Sequence, residues 1–114
     1  MSSATQQLPG GERVAVDEMG YLADYRTWTP EVAVAMATAD GVELTPEHWL
    51  VLDFFRRYFE RHEVEPPMRA VVRQVRAELG AEKGSSRFLY LLFPDGPTTQ
   101  ASRYAGLPRP VSCI

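Results

Sequence analysis

The triplet Thr29-Pro30-Glu31 recurs as Thr45-Pro46-Glu47, and each copy is a complete local instruction for starting a helix. The threonine supplies a hydroxyl N-cap, the proline sits where a missing N–H costs nothing, and the glutamate faces the positive end of the helix dipole. Two helix starts are thereby fixed. The first helix should run to about Ala39 and stop at Asp40-Gly41, where glycine takes a left-handed cap. The second should run from Pro46 to Arg61 or His62, with Trp49, Leu52, Phe55 and Phe59 forming one apolar stripe at three- and four-residue spacing.

A third helix is predicted from Pro67, after Glu65-Pro66, to Gly80. Met68, Val71, Val72, Val75 and Leu79 share one face, and Arg69, Arg73 and Arg76 share another. Ser85 or Ser86 caps a short apolar helix through Leu92, which Phe93-Pro94-Asp95-Gly96-Pro97 ends in a turn. Thr98 to Ala105 forms a last helix with Gly106 as its cap. Upstream, Val14-Ala15-Val16 and Tyr21-Leu22 read as the strands of a small hairpin around a turn at Asp17-Glu18-Met19-Gly20. The expected architecture is mostly α: a small orthogonal helical domain with a helix-turn-helix-like element and an N-terminal β-hairpin. Residues 1–11 read as a flexible leader, residues 12–105 as the domain, and residues 106–114 as a flexible C-terminal arm.

That arm carries the one cysteine of the 114-residue chain, Cys113, in the second-to-last position. A single cysteine has no partner for an internal disulfide, and a chain end is no place for core filler. It reads either as a thiol presented to another molecule or as an incidental residue of a tail. Prenylation is excluded, because that signal needs cysteine four from the end. Gly106 allows a turn, while Pro108 and Pro110 fix φ and favour an extended reach. Arg103 and Arg109 are the nearest cations that favour a thiolate; the terminal carboxylate on Ile114 opposes it.

Charge narrows the partners. The formal net charge is -3, yet residues 1–55 hold two arginines against nine acids and residues 56–114 hold ten basic residues against six acids. Such asymmetry steers charged partners without dictating the fold. The arginine face of the third helix suits phosphate contact, but a net acidic domain lacks the footprint of a strong DNA binder. His48 and His62, with one cysteine, do not make a zinc site of ordinary spacing, so no metal is expected. His48 is expected in the first turn of its helix and His62 on the surface. Trp28 and Trp49 read as core. No apolar run reaches membrane-spanning length and no signal peptide is evident, which points to the cytoplasm.

Several stretches carry a more specific pattern. Leu44-Thr45-Pro46-Glu47-His48-Trp49, the segment Glu82 to Pro94, Gly96-Pro97, and above all Ala105-Gly106-Leu107-Pro108-Arg109-Pro110 ahead of Cys113 resemble the TusE/DsrC/DsvC family of sulfur-carrier proteins. The resemblance runs from about Val14 to the end. It implies a helical domain with a mobile arm whose penultimate cysteine receives sulfane sulfur as a persulfide and hands it on, so Cys113 inherits that role. It also implies a sulfurtransferase component without turnover of its own and without a cofactor. DsrC proteins carry a second cysteine eleven residues earlier; here that position is Ser102. The pattern therefore resembles the one-cysteine TusE type, which implies a TusBCD-like donor complex and an acceptor such as the tRNA thiolase MnmA, in 2-thiouridine synthesis at the wobble base. Two other readings stay open: a single-cysteine DsrC-like carrier or regulator in sulfur oxidation, and a helix-turn-helix nucleic-acid binder.

Overall fold

A computed structural model describes residues 4–109. Its elements are strands β1 (Ala4–Gln7) and β2 (Arg13–Val16), a 3-10 turn (Tyr25–Thr27), and helices α1 (Pro30–Ala39), α2 (Pro46–His62), α3 (Met68–Leu79), α4 (Ser86–Leu92) and α5 (Pro97–Tyr104). The fold is mostly α with a two-stranded antiparallel sheet at the N-terminus.

Both Thr-Pro-Glu starts form as predicted, but their caps differ. Thr45 Oγ1 accepts from the backbone N–H of His48, and the His48 side chain returns the bond to the N–H of Thr45, a reciprocal capping box. Thr29 makes no such side-chain bond. Helix α1 ends where expected: Gly41 takes φ 75, and the N–H of Val42 reaches back to the carbonyl of Ala37 at 2.8 Å. That bond relieves an orphan carbonyl at the helix end. Helix α4 starts on Ser85, whose Oγ accepts from the N–H of Phe88 at 3.2 Å.

The predicted faces meet in one core. Val71 and Val75 of α3, Leu52 and Phe55 of α2, Leu89 of α4 and Tyr104 of α5 are all buried in the same cluster. Helix α5 packs on α1, α2 and α4. It is thus the element through which the end of the chain is anchored. His48 lies in the first turn of α2, as expected, but it is buried and does more than fill space. Its Nδ1 accepts from the N–H of Thr45 at 3.0 Å, so the proton is on Nε2, which donates to the carbonyl of Leu92 at 2.7 Å. The ring therefore ties the start of α2 to the end of α4. His62 is exposed and stacks on Tyr58.

The N-terminal hairpin differs from the prediction. Val14–Val16 pairs chiefly with Ala4–Gln7, in a register from Ala4 opposite Val16 to Gln7 opposite Arg13. The expected partner Leu22 keeps a single bridge to Val16 on the other side. So the end of the supposed leader is a strand, and Leu8-Pro9-Gly10-Gly11 is its turn. That turn is closed by Gly11 N–H to the Leu8 carbonyl at 2.9 Å, with φ 89 at Gly11. β1 packs on α1, which gives a polar strand a surface to lie on.

The arm also begins later than predicted. Gly106 and Leu107 are buried, and Leu107 is 0 % exposed within the core cluster. A leucine next to the last helical turn is worth more inside than out, by about 1.5–3 kcal/mol for full burial. Pro108 and Arg109 are the first exposed residues of this segment. Pro110 and Cys113 lie outside the described residues.

Candidate functional site at the root of the arm

Helix α5 opens with Pro97 in its first turn behind Gly96, and its inward residues build a line of polar contacts under the arm. Gln100 Oε1 accepts from the N–H of Asp95 at 2.8 Å, and its Nε2 donates to the Tyr104 hydroxyl at 3.0 Å. That hydroxyl donates to Asp40 Oδ2 at 2.7 Å. Arg103 pairs with the same oxygen of Asp40. Asp40 caps the C-terminus of α1, where a negative charge opposes the dipole; the Arg103 guanidinium offsets it. Burial pushes the Tyr104 phenol above its ordinary range, so it stays a neutral donor to the carboxylate.

The last carbonyl of α5 and that of its C-cap, Ala105, are held from outside the helix. Trp28 Nε1 donates to the Tyr104 carbonyl at 2.8 Å, and Arg56 Nη1 donates to the Ala105 carbonyl at 2.7 Å. Gly106 then takes φ 78, and the N–H of Leu107 returns to the carbonyl of Ser102 at 2.9 Å. Beyond Pro108 the Arg109 guanidinium lies 3.0 Å from Glu18 Oε1 and 3.5 Å from Asp17 Oδ2. Asp17 is in turn fixed by its Oδ1, which accepts from the N–H groups of Met19 and Tyr21. The Glu18 carboxyl is held below its usual range, first by its own backbone N–H and then by Arg109. Arg109 is raised by the same bond. The described part of the arm thus leaves over the acidic turn of residues 17–20.

Ser102 is tied to the start of this exit by its carbonyl, which accepts from the N–H of Leu107. It is 0 % exposed, and its Oγ has no hydrogen-bond partner among the described residues. A buried hydroxyl without a partner carries an unrelieved desolvation penalty of about 1–3 kcal/mol. The position is therefore shaped for a small side chain, not for the hydrogen bonding of a serine.

Of the residues singled out in the sequence, Gly106, Arg103 and Arg109 come together here, with Pro108 exposed between the buried Leu107 and Arg109. Arg69 and Arg73 are exposed on α3 and make none of the contacts described for this cluster. Arg76 serves the fold instead. Its Nη2 donates to the Gly84 carbonyl at 3.1 Å, and a Cβ on Gly84 would stand 2.3 Å from the Arg76 Cβ. Trp28, Arg56, Asp40, Asp17 and Glu18 were not anticipated as site residues. Among the described residues no His, Cys, Asp and Glu group is placed to hold a metal ion. Nor is any helix among them long and apolar enough to cross a membrane.

The sequence that builds this geometry, a helix end locked to the core and a Gly-Leu-Pro-Arg exit, lies within the span of a family match. The model of the family described as DsrC like protein matches residues 9–114. The chain belongs to that family. Among curated relatives, the sulfurtransferase TusE of Salmonella paratyphi A is 43% identical over 104 residues, covering 91% of this chain and 95% of the relative. TusE of Escherichia coli K12 is 42% identical over the same span and coverage. Solved DsrC structures share the fold. The NMR structure of Allochromatium vinosum DsrC has a TM-score of 0.85 at 45% identity, covering 99% of this chain and 100% of that one. The oxidized gamma-subunit of the dissimilatory sulfite reductase from Archaeoglobus fulgidus gives 0.87 at 35% identity, covering 97% of this chain and 100% of its own. In sequence, these TusE relatives at 42–43% lie between the two DsrC proteins at 45% and 35%.

Proposed function

We propose that this DsrC-like protein is a sulfur-relay carrier of the one-cysteine type, with Cys113 as the carrying residue. The family membership and the relatives named as sulfurtransferases support a sulfur relay. The observation that carries the one-cysteine assignment is Ser102. At the position where the family resemblance puts the second DsrC cysteine there stands a fully buried hydroxyl with no partner among the described residues. A hydroxyl forms no disulfide and takes up no sulfane sulfur, so the two-cysteine cycle is closed to a single chain.

The chemistry is one exchange repeated. The Cys113 thiolate attacks the outer sulfur of a donor persulfide; a new sulfur–sulfur bond forms at Cys113, the old one breaks, and the donor leaves as a thiolate. An acceptor thiolate repeats the attack on the Cys113 persulfide. Neither step needs a cofactor or an oxyanion hole in the carrier. What the carrier supplies is reach, from an arm whose prolines limit the entropy lost on entering a partner's pocket.

The downstream process we infer is 2-thiolation of the tRNA wobble uridine, with a TusBCD-like donor and an MnmA-like thiolase as acceptor. A second reading, a single-cysteine DsrC-like carrier or regulator in sulfur oxidation, is kept because a protein named DsrC is 45% identical to this chain. The nucleic-acid reading has less behind it, because Arg76 is committed to Gly84. Deleting the gene and measuring 2-thiouridine in bulk tRNA separates the first two. Loss of the modified base, restored by the wild-type gene and not by Cys113→Ser, is the expected result. Unchanged 2-thiouridine in the deletion strain would overturn the tRNA assignment.

A further inference from the structure

The carbonyls at the end of a helix have no intrahelical partners and are commonly left to water. At the end of α5 two consecutive carbonyls are instead taken by side chains from distant parts of the chain, Trp28 for Tyr104 and Arg56 for Ala105. The two side chains are also joined to each other. The Arg56 guanidinium carbon lies 4.0 Å from the Trp28 ring centroid and 4.1 Å from that of Tyr25, so its plane sits among aromatic rings. Tyr25 is itself braced by its hydroxyl, which donates to Glu60 at 2.9 Å.

The same indole limits the next residue. A Cβ on Gly106 would lie 2.5 Å from Trp28 Cδ1. Three successive residues, Tyr104, Ala105 and Gly106, are thus fixed against one stacked pair. Burying part of a guanidinium is costly and pulls Arg56 below its ordinary range, chiefly through lost solvation. A neutral cap would close the helix at less expense. The feature peculiar to Arg56 is a rigid, charged plane that both stacks and donates, which a lysine does not reproduce.

We propose that Arg56 and Trp28 are positioning residues that clamp the end of α5 and set the direction in which the arm leaves, over the turn of residues 17–20. For function this rests on the carrier reading given above. Reaction with a small sulfur donor asks for no particular direction of the arm, whereas docking on a protein partner does. The clamp therefore acts on transfer between proteins and leaves the thiol's intrinsic chemistry alone. Arg109, resting on Glu18 and Asp17, continues the same path.

Because Cys113 is the sole cysteine, its direction is measurable by intramolecular disulfide closure with a second, introduced thiol. Met19→Cys places one on the turn below the exit, at a side chain 57% exposed; Leu91→Cys places a control on α4, at one 71% exposed. Closure rates under a fixed diamide concentration give the effective concentration of the arm's tip at each site. With the clamp intact, the Met19 site should close about tenfold faster than the Leu91 site. Arg56→Ala should cut that ratio about threefold or more, with Arg56→Lys in between, while the reaction of Cys113 with a small disulfide reagent stays unchanged. Trp28→Phe keeps a ring and removes the indole donor; it should cut the ratio as well, and it serves if Arg56→Ala folds poorly. An unchanged closure ratio in folded Arg56→Lys and Trp28→Phe would overturn the proposal, as would a ratio that moves only in step with the melting temperature. Closure needs no sulfur loading. A failure of the carrier reading, seen as no persulfide on the wild-type protein, is therefore distinct from a failure of the clamp.

Discussion

Gly106→Ala should lower the unfolding free energy by about 2–5 kcal/mol, the largest loss expected from adding a single methyl group anywhere in the arm. Two costs combine. The residue sits at φ 78, where an L side chain is strained by about 1–2 kcal/mol. The added Cβ also meets Trp28 Cδ1 at 2.5 Å and Trp28 Cγ at 2.9 Å. The indole must then move, and in moving it stretches its bond to the Tyr104 carbonyl; overpacking of this kind costs about 1–3 kcal/mol. Gly41 is the control, because it has φ 75 and nothing within 4 Å of where an alanine Cβ would stand. Gly41→Ala should show the strain alone. Urea unfolding measures both, as a shift of midpoint at constant slope. Equal losses at the two glycines would show that Trp28 does not press on the arm.

Where the chain is cut should matter even more for what the protein can do. A chain ending at Arg109 keeps every contact described for α5, Leu107 and the acidic turn, while loss of Cys113 should abolish sulfur acceptance. A chain ending at Gly106 also loses Leu107, which is 0 % exposed in the core. Removing a buried leucine side chain costs about 2–5 kcal/mol, from lost burial and the space left behind. The second truncation should therefore melt well below the first. Identical melting curves for the two would mean that Leu107 contributes nothing to the core.

The helices were legible because their signals are local. Thr45, Ser85, Gly41 and Gly80 mark ends that depend on a few neighbouring backbone groups, and the valine face of α3 needs only periodicity. β1 was hidden for the opposite reason. Thr5-Gln6-Gln7 has no apolar alternation, and its strand character comes from pairing with β2 and lying on α1. Leu107, flanked by glycine and proline, reads as part of the arm; only the position of α5 against the core decides that it goes inside.

The site divides in the same way. Gly106, Arg103, Arg109 and the cysteine stand out from composition and from the family resemblance, since they cluster at one end of the chain. Their partners do not. Trp28 meets Tyr104 across 76 positions, Arg56 meets Ala105 across 49, and Glu18 meets Arg109 across 91. No local pattern encodes such pairs. Trp28 looked like core filler, and its indole N–H was the one clue that it needed a partner.

Intact-mass spectrometry after incubation with a persulfide donor tests most directly whether Cys113 carries sulfur. The wild-type protein should gain one sulfur atom, which peptide mapping places on Cys113, and lose it again on treatment with a thiol reductant. Cys113→Ser should fold normally and gain none. Sulfur retained by the serine variant, or a wild-type protein that stays unmodified at a donor concentration that loads a free thiol, would contradict the account.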